Sequence, residues 1–463
     1  MQQRLLDTVN ILVPTGALGI GVKESEVAAG IAAGAHAIAC DAGSTDSGPA
    51  YLATGLSKYS RASVKHDLAI LMRAQAKAGI PLLIGSCGTS GCDAALDWTH
   101  GIAREIAREH GLNPRIALLY SEQDRAGMAR LARAGRVTPL EPMTCADPAL
   151  FGQCDHVVAL MGPEPYIAAL DGGADIVLGG RTTDTAVLAA VPLMRGAGPG
   201  AAWHAGKTAE CGSLCTTTPR AGGVMIRVGR DAFEVEPLTP GNRCTPATVS
   251  AHMLYENSDP FLLHEPGGVL DVTAARYHAV DERVVQVSGS KFVPGPYTMK
   301  LEGAAGGGFQ TLMLVGIQDR GVLAEIDRFL HKMQEVLVGR VRETMGTAAG
   351  AFDISLRPYG WNAVSGTPVA AATPPPREIG LLFVATATTQ ELATQIAKTC
   401  NPWLFHLPLN EDRELPSYAF PFSPAEVERG QLFEFKLNHV VHVEDGFELV
   451  RAVFAQESEA QHA

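Results

Sequence analysis

Short apolar runs alternate with helical patterns throughout residues 10–195 of the chain. Runs such as Pro81–Ile84 and Asp175–Leu178 have the length and apolar character of buried strands, whereas Ser63–Gly79 and Ala94–His110 have the period of amphipathic helices. Parallel strands need crossover connections of about a dozen residues or more, and helices of this length supply them. The alternation therefore predicts an α/β fold with a mainly parallel sheet and flanking helices.

The remainder of the chain has a different pattern. Residues 196–225 are rich in Gly and Pro and are interpreted as a boundary or interdomain loop. Strand-like runs then dominate up to residue 318, and a long amphipathic helix is expected over Leu323–Thr344. The stiff segment TPPP (373–376) precedes a strand, a helix and a second strand. We therefore expect three parts: an α/β domain over 1–195, a mixed α+β region over 196–372 and a small C-terminal β-α-β unit over 373–463.

Charge and cysteine content limit the function classes. The formal net charge of −12, without a run of Lys or Arg, argues against a nucleic-acid partner. No stretch of 18 apolar residues occurs, so no membrane span is expected, and the first 20 residues do not have the pattern of a signal peptide. The nine cysteines form no C-x-x-C pair, which favours a reducing cytoplasm over a disulfide framework.

Four loops follow predicted strands, and in an open parallel sheet ligands bind at the carboxyl ends of the strands. These loops are DAGSTDSGPAY (41–51), GSCGTSG (85–91), SEQD (121–124) and GGRTTDT (179–185). Three of them combine Gly with hydroxyls and a carboxylate or thiol, which is more than turn formation requires. We therefore predict a binding site for a small molecule at this edge of the sheet.

Residue type assigns the roles at this site. The predicted catalytic residues are Asp41, Asp46, Asp184, Glu210 and Cys87, and the predicted substrate-binding residues are Ser44, Thr45, Lys58, Ser86, Thr89, Ser90, Arg181, Thr182 and Thr183. Arg181 either clamps a carboxylate or phosphate or pairs with Asp184. Lys58 is either a second anion contact or a solvated helix-end lysine. Two carboxylates in one half-buried pocket supply an acid and a base.

Metal and cofactor signals are weak. His439 and His442 read H-x-x-H, but residues three apart on a strand point to opposite faces. Glu210 and Cys211, with Cys215 four residues on, form a weak thiolate and carboxylate cluster, for which buried cysteines are the favoured interpretation. The glycines near residue 20 have the wrong order for a dinucleotide loop. No metal ligand and no cofactor is predicted, although a hard cation held by the loop aspartates stays an open alternative.

Three longer segments resemble a known family. GGRTTDTAVL (179–188), AECGSLCTTTPRAGG (209–223) and VSAHMLYENSDPFLL (249–263) are similar, in this order, to motifs of the acyclic terpene utilisation AtuA-like family. The matching cores are G-R-x-x-D, E-C-G and L-Y-E-x-x-D-P, whereas the first loop, DAGSTDS, and the HEPGG segment depart from the family pattern. The resemblance implies a catabolic role of the kind that gave the family its name, the breakdown of acyclic terpenes through CoA esters.

The preferred hypothesis is a cytoplasmic lyase or hydratase acting on a small carboxylate or its CoA ester. Arg181, with Lys58, holds the substrate carboxylate; Asp41 or Asp46 removes the proton next to the carbonyl; Asp184 or Glu210 acts as the acid. One alternative is an acyl transferase or hydrolase that uses Cys87 as nucleophile. A second is a binding or assembly subunit that docks a partner chain through its C-terminal aromatics. A homo-oligomer is also expected.

Overall fold

The computed structural model describes residue 5 and residues 7–370, 373–412 and 415–455. The chain divides into two compact units. The first unit comprises Met1–Ala305 and Phe435–Ala463, and the second comprises Gly306–Glu434. The three parts predicted from the sequence, divided at residues 195 and 372, stay a prediction.

The described residues form nineteen strands and thirteen α-helices. The strands are β1 (Val9–Val13), β2 (Ala37–Asp41), β3 (Leu82–Gly85), β4 (Ile116–Tyr120), β5 (Val137–Pro139), β6 (His156–Ala159), β7 (Ile176–Gly179), β8 (Val224–Val228), β9 (Ala232–Pro237), β10 (Leu262–Glu265), β11 (Gly268–Asp271), β12 (Arg276–Ala279), β13 (Val285–Ser288), β14 (Lys291–Pro294), β15 (Thr298–Ile317), β16 (Phe352–Tyr359), β17 (Ile379–Ala387), β18 (Val427–His442) and β19 (Arg451–Phe454). The helices are α1 (Glu24–Ala32), α2 (Pro49–Thr54), α3 (Arg61–Ala78), α4 (Asp93–His110), α5 (Arg125–Arg133), α6 (Pro148–Gln153), α7 (Glu164–Asp171), α8 (Asp184–Met194), α9 (Pro199–Ala209), α10 (Pro246–Ala251), α11 (Arg320–Ala324), α12 (Ile326–Met345) and α13 (Gln390–His406).

The first unit is built on a ten-stranded sheet with the order β12-β13-β9-β8-β1-β2-β3-β7-β4-β19. The α/β class is confirmed, but the sheet is mixed rather than mainly parallel. Only the pairs β1–β2, β2–β3, β3–β7 and β7–β4 are parallel. On one side, β8 adds antiparallel to β1 and β9 follows it after a short turn. Tight turns permit antiparallel pairing, so strands from beyond the α/β stretch extend the same sheet.

The central strands β2, β3 and β7 are buried at every position. Strands of this kind need apolar cover on both faces, and their alternating side chains enter two different cores. In β1, Ile11 and Val13 belong to a core that also contains residues of α7, α8 and α9. Leu12 belongs to a second core with residues of α1, α3 and α4. Helices therefore cover both faces around the parallel centre of the sheet.

The Gly/Pro-rich segment 196–225 is not a loop throughout, and this interpretation was wrong. Pro199 is at the first turn of α9, and residues 200–209 of this helix are all buried. Pro is tolerated at a helix start because the first N–H groups have no partner within the helix. Gly206 allows α9 to lie against α8, since a Cβ at this position would stand 2.7 Å from the carbonyl oxygen of Thr185. The small residues therefore serve close helix packing.

One predicted strand lies outside the ten-stranded sheet. β6 pairs antiparallel with residues Leu301–Ala304 of β15 instead of joining the parallel strands. The residues that pair with β6 lie about 140 residues further along the chain. The sequence of β6 alone therefore does not indicate this pairing. This pairing has a consequence for the site, because it fixes the part of β15 that carries Glu302.

The second unit contains β16, β17 and the parts of β15 and β18 that lie within Gly306–Glu434, in the order β16-β17-β15-β18. β17 pairs antiparallel with both β15 and β16. The helices α12 and α13 pack in one core with this sheet, around side chains such as Phe329 and Phe383. The strand, helix and strand predicted after TPPP are present as β17, α13 and β18. Within the part of the chain that the structure describes, no helix is both long and apolar enough to cross a membrane.

Gly91, in the loop after β3, supplies a direct stability test. Its φ is +64°, and a Cβ there would lie 2.3 Å from the backbone nitrogen of Arg181. Gly111 has almost the same φ, +63°, with open space around the Cβ position. We expect Gly111→Ala to lower the free energy of unfolding by about 1–2 kcal/mol, the cost of left-handed backbone. Gly91→Ala adds an overpacking cost of about 1–3 kcal/mol.

Urea denaturation of the two variants measures this difference, because both carry the same backbone strain. A smaller or equal loss for Gly91→Ala would contradict the close approach of the two loops.

Candidate functional site

The loops that follow β2, β3 and β7 are joined by backbone hydrogen bonds at the carboxyl edge of the sheet. Ala42 N donates to the carbonyl oxygen of Gly85 (2.9 Å), and Ser86 N donates to that of Gly180 (3.0 Å). Arg181 N donates to the carbonyl oxygen of Gly91 (3.0 Å). The first two bonds continue the pairing of the parallel strands one residue beyond their ends, and the third joins the loop after β7 to the end of the loop after β3. The three loops therefore form one continuous surface.

The loop after β3 holds two unusual backbone conformations. Ser86 has φ +44° and Thr89 has φ +82°, a region that L residues with a side chain rarely adopt. Gly43 faces Thr89 so closely that a Cβ on it would lie 2.7 Å from the Cα of Thr89. Strained backbone of this kind persists only where the surroundings hold it in place, and it is frequent at functional sites.

Beside these loops lies a cavity of about 270 Å³. Acidic side chains dominate its lining: Asp41, Asp46, Asp184, Glu210 and Glu256 all contribute. Lys58 is the one lysine in the lining, and Ser44, Cys211 and Tyr255 are also at the wall. The structure thus brings six of the sequence-predicted residues to one cavity: Asp41, Ser44, Asp46, Lys58, Asp184 and Glu210.

Arg181 is buried, and all three of its side-chain nitrogens donate hydrogen bonds within the protein. Nε donates to Glu302 (3.1 Å), while Nη1 donates to Ser86 Oγ (2.9 Å) and to Asp184 Oδ1 (3.1 Å). Nη2 makes a longer contact of 3.5 Å with Thr45 Oγ1. A guanidinium with its donors used in this way organises the loops. These contacts are those of the second alternative, the pairing of Arg181 with Asp184, and the role of Arg181 as a substrate clamp stays a prediction.

Glu302 of β15 is the main partner of Arg181 and was absent from the sequence interpretation. Its Oε2 accepts from Arg181 and from Thr45 Oγ1 (2.8 Å), and its Oε1 pairs with Lys300 (2.9 Å). Burial would raise the pKa of the Glu302 carboxyl, but Arg181 and Lys300 outweigh it and lower the pKa to about 2. This carboxylate is therefore ionised and acts as the counter-charge of the buried arginine.

Asp41 ends β2 and lies at the cavity wall. Its Oδ2 accepts from Gly43 N (3.0 Å), but its buried Oδ1 has no hydrogen-bond partner among the described residues. Burial raises the pKa of the Asp41 carboxyl well above its usual range; Asp184 adds to the rise, and Arg181 opposes it. Because the carboxyl is buried and one of its oxygens has no donor, its neutral form is favoured to a higher pH than in an exposed aspartate.

Asp184 is the first residue of α8, after the helix cap Thr183. Burial raises its pKa as well, although Arg181 and Lys207 act in the opposite direction. The negative charge of Asp184 also raises the pKa of Asp41, because two nearby carboxyls disfavour the state in which both are ionised. Perturbed carboxyls in a cleft are typical of acid–base sites.

Glu210 ends α9 and pairs with Lys207, three residues earlier, at 2.5 Å. Its second oxygen accepts a longer bond from Thr185 Oγ1 (3.3 Å). Burial raises the pKa of Glu210 to about 8, despite the opposing charge of Lys207. Burial likewise raises the pKa of Glu265 to about 7. Lys207 and Glu265 were not predicted, although the three-residue spacing of Lys207 and Glu210 on a helix is a readable signal.

Several predicted binding residues instead support the loops. Ser86, Thr89, Ser90 and Thr182 are fully buried, and Thr45 is nearly so. Thr89 Oγ1 accepts from Lys58 N (3.0 Å), and Thr182 Oγ1 shares a hydrogen bond with the buried Tyr166 hydroxyl (2.8 Å). Hydroxyls in a turn satisfy backbone groups as readily as ligands, and sequence does not separate the two uses. For these residues, and for the helix cap Thr183, the observed contacts are structural.

Cys87 is fully buried beneath the same loop. Its thiol makes a weak contact with the carbonyl oxygen of Ile84 (3.9 Å). Burial, followed by the nearby Asp41, raises the pKa of the Cys87 thiol far above its usual range. A nucleophilic cysteine needs an accessible thiolate. The Cys87 thiol is neither accessible nor readily ionised, and both findings argue against the prediction that it is a nucleophile.

Two groups of mixed ligand type lie in the first unit. In one, a ligand atom from each of Glu210, Cys211 and His252 lies within 4.8 Å of the others, and in the second the same holds for Cys92, Glu122 and His156. His439 and His442 do not contribute: His439 is buried with its Nε2 on the carbonyl oxygen of Cys145 (3.0 Å). His252, which follows α10, was missed because no ligand spacing in the sequence links it to residues 210 and 211.

The fold and site define an α/β protein with an acidic cavity at the carboxyl edge of a mixed sheet. The sequence matches the family described as acyclic terpene utilisation family protein AtuA over residues 57–408. This match covers most of the chain, so the protein belongs to that family, and the family points to a catabolic role. Comparisons with curated proteins and with solved structures found no match.

Isosteric substitutions of Glu302 and Asp41 test these electrostatic interactions, because the two changes are expected to shift the free energy of unfolding in opposite directions. The pKa of Glu302 is lowered, so its ionised form stabilises the fold above about pH 4.5, and this contribution is lost as the pH falls towards 2. The pKa of Asp41 is raised, so its protonated form stabilises the fold. This contribution to the free energy of unfolding is complete below about pH 4 and is lost as the pH rises.

At pH 8 we therefore expect Glu302→Gln to lower the free energy of unfolding by about 3–5 kcal/mol, because Arg181 loses a buried partner. Asp41→Asn should raise the free energy of unfolding at pH 8 and have little effect at pH 4. Denaturation at both pH values measures the two variants, and a shift of the same sign for both at pH 8 would refute the assignment.

Proposed function

We propose that the protein is a carbon–oxygen lyase of the hydratase type, acting on a small carboxylate or its CoA ester. The observation that carries the proposal is Asp41, a cavity carboxyl whose buried Oδ1 has no partner in the described chain, next to a second carboxyl with a raised pKa. A site that keeps a proton on such a pair at neutral pH suits general acid catalysis. Dehydration requires an acid for the departing hydroxyl and a base for the neighbouring proton.

The pair Asp41 and Asp184 is the proposed acid. The C–O bond breaks as the proton of the pair passes to the departing hydroxyl, which leaves as water. Asp46 is the proposed base, because its exposed side chain lines the same cavity and accepts a bond from Ser44 Oγ (2.9 Å). It takes the proton from the carbon beside the carbonyl, and the electron pair of that C–H bond forms the double bond. Hydration is the same sequence in reverse.

Lys58 is the proposed substrate anchor in place of Arg181. Its ammonium donates to Ser47 Oγ at 3.1 Å and lies 5.8 Å from the centre of the Tyr59 ring. An ammonium has three protons to donate, so it keeps capacity for a carboxylate. The cavity, at about 270 Å³, is smaller than the range of about 300–1,000 Å³ typical of drug-sized ligands. This size favours a short acyl group.

Assays of dehydration on a panel of small hydroxy acids and their CoA esters test the proposal. Asp184→Asn should lower kcat by about 100-fold or more, the usual range for loss of an acid or base. The double variant Asp41→Asn, Asp46→Asn should lose turnover to a similar or greater extent. Asp231→Asn, an exposed aspartate in the turn between β8 and β9, is the matched control. Normal turnover by the double variant would end the proposal.

The pH dependence of kcat tests the acid separately. The pKa values of Asp41 and Asp184 are raised, so the pair keeps its proton to a higher pH than ordinary carboxyls do. We therefore expect kcat for dehydration to fall as the pH is raised and this proton is lost. The alkaline limb should disappear in Asp184→Asn, with low activity throughout. A rate that rises with pH up to the point of unfolding would assign the acid role elsewhere.

A further inference from the structure

We propose that Glu210, Cys211 and His252 form a binding site for one Zn²⁺ ion at the wall of the acidic cavity. A thiolate, an imidazole and a carboxylate are the ligand types that zinc accepts, and three protein ligands with an open fourth position are typical of catalytic zinc. Glu210 and Cys211 line the cavity, so the fourth position would be open to a substrate.

The strongest evidence is the imidazole of His252. The side chain is buried, with 4% of its surface exposed, and its Nε2 has no hydrogen-bond partner among the described residues. Two histidines that are fully buried in the described part of the chain are satisfied. His204 has Ser290 Oγ at 2.6 Å and the Tyr277 hydroxyl at 3.3 Å, and both ring nitrogens of His439 have backbone partners. A buried nitrogen without a partner is costly, and a metal ion would satisfy it.

The distances between the three ligand atoms are close to those in a tetrahedral zinc site. The ligand atoms of the three residues all lie within 4.8 Å of one another. Tetrahedral zinc with bond lengths of about 2.0–2.3 Å places its ligands about 3.4–3.7 Å apart. Closing the site would shorten the separations between these ligand atoms by roughly 1 Å, a distance that side-chain rotation can cover.

The supporting elements hold the ligands in place. Gly16, in the loop after β1, lies against Cys211 so closely that a Cβ there would be 2.6 Å from the Cys211 carbonyl carbon. His252 stacks on Tyr255 at 5.7 Å between ring centres. Lys207 occupies one oxygen of Glu210 and leaves the other, which has only the long bond from Thr185, for a metal.

The group of Cys92, Glu122 and His156 is a weaker candidate. Both oxygens of Glu122 already have short partners: His156 Nδ1 at 2.6 Å and Asp93 N at 2.8 Å. Satisfied ligand atoms give no reason for an ion to bind. The contrast supports the assignment of the metal to the group at the cavity.

The metal has a use in the proposed reaction. Its open position would accept a carbonyl or carboxylate oxygen of the substrate and draw charge towards the carbonyl, in the cavity where Asp46 removes the neighbouring proton. This part rests on the proposed hydratase function. The binding of zinc itself does not, and it is measured without a substrate.

Reconstitution with Co²⁺ gives a spectroscopic test of the purified full-length chain. After removal of bound metal by a chelator, Co²⁺ should bind one to one and give visible bands together with a thiolate-to-cobalt charge-transfer band. Cys211→Ser should abolish the charge-transfer band, and His252→Gln and Glu210→Gln should each weaken Zn²⁺ binding, measured by competition, by at least about 10-fold. Cys215→Ser, a buried thiol outside the group, is the matched control and should behave as the native chain.

Circular dichroism of each variant verifies that it is folded. A charge-transfer band that survives in folded Cys211→Ser, or Zn²⁺ affinity unchanged in both His252→Gln and Glu210→Gln, would overturn the metal site. The two proposals fail separately: zinc binding without dehydration activity removes only the function, and dehydration by metal-free protein without these bands removes only the metal.

Discussion

The buried ion pair between Arg181 and Glu302 is the interaction on which the site depends. Its guanidinium contacts groups from the loops after β2, β3 and β7, and its carboxylate partner comes from β15. Burying a charge is costly unless it is paired and hydrogen-bonded, and here nearly every donor and acceptor is used. The pair therefore stabilises the loops only in the arrangement that opens the cavity, and other arrangements leave a buried charge without a partner.

The same arginine leaves its neighbours in different protonation states. Glu302 receives a direct hydrogen bond from Nε and the charge of Lys300, and these interactions hold its pKa low. The charge of Arg181 lowers the pKa of Asp41, but Asp41 accepts hydrogen bonds only from backbone N–H groups. The effect of burial is larger, so the pKa of Asp41 is raised. Two carboxyls beside one cation thus divide into a structural anion and a proton carrier. Acid–base chemistry on this fold follows from that division.

The sequence was sufficient to predict the α/β class, the strands of the parallel centre and the loops at their ends, because each of these leaves a local pattern of apolar and Gly-rich residues. It was insufficient for the partner of Arg181. Glu302 lies 121 residues beyond Arg181, and only the pairing of β15 with β6 brings it to the site. The helix α9 was missed for a different reason: its glycines permit close packing with α8 but resemble a loop when read alone. Long-range pairing and dense packing are properties of the folded chain.

The central claim is that the Asp41 and Asp184 pair holds a proton at neutral pH. Infrared difference spectroscopy measures this directly through the C=O stretching band of a protonated carboxyl. The account predicts such a band in the native protein at pH 7, shifted in deuterated buffer and absent when both residues are replaced by asparagine. A native spectrum without the band at pH 7, or a band unchanged in the double variant, would contradict it.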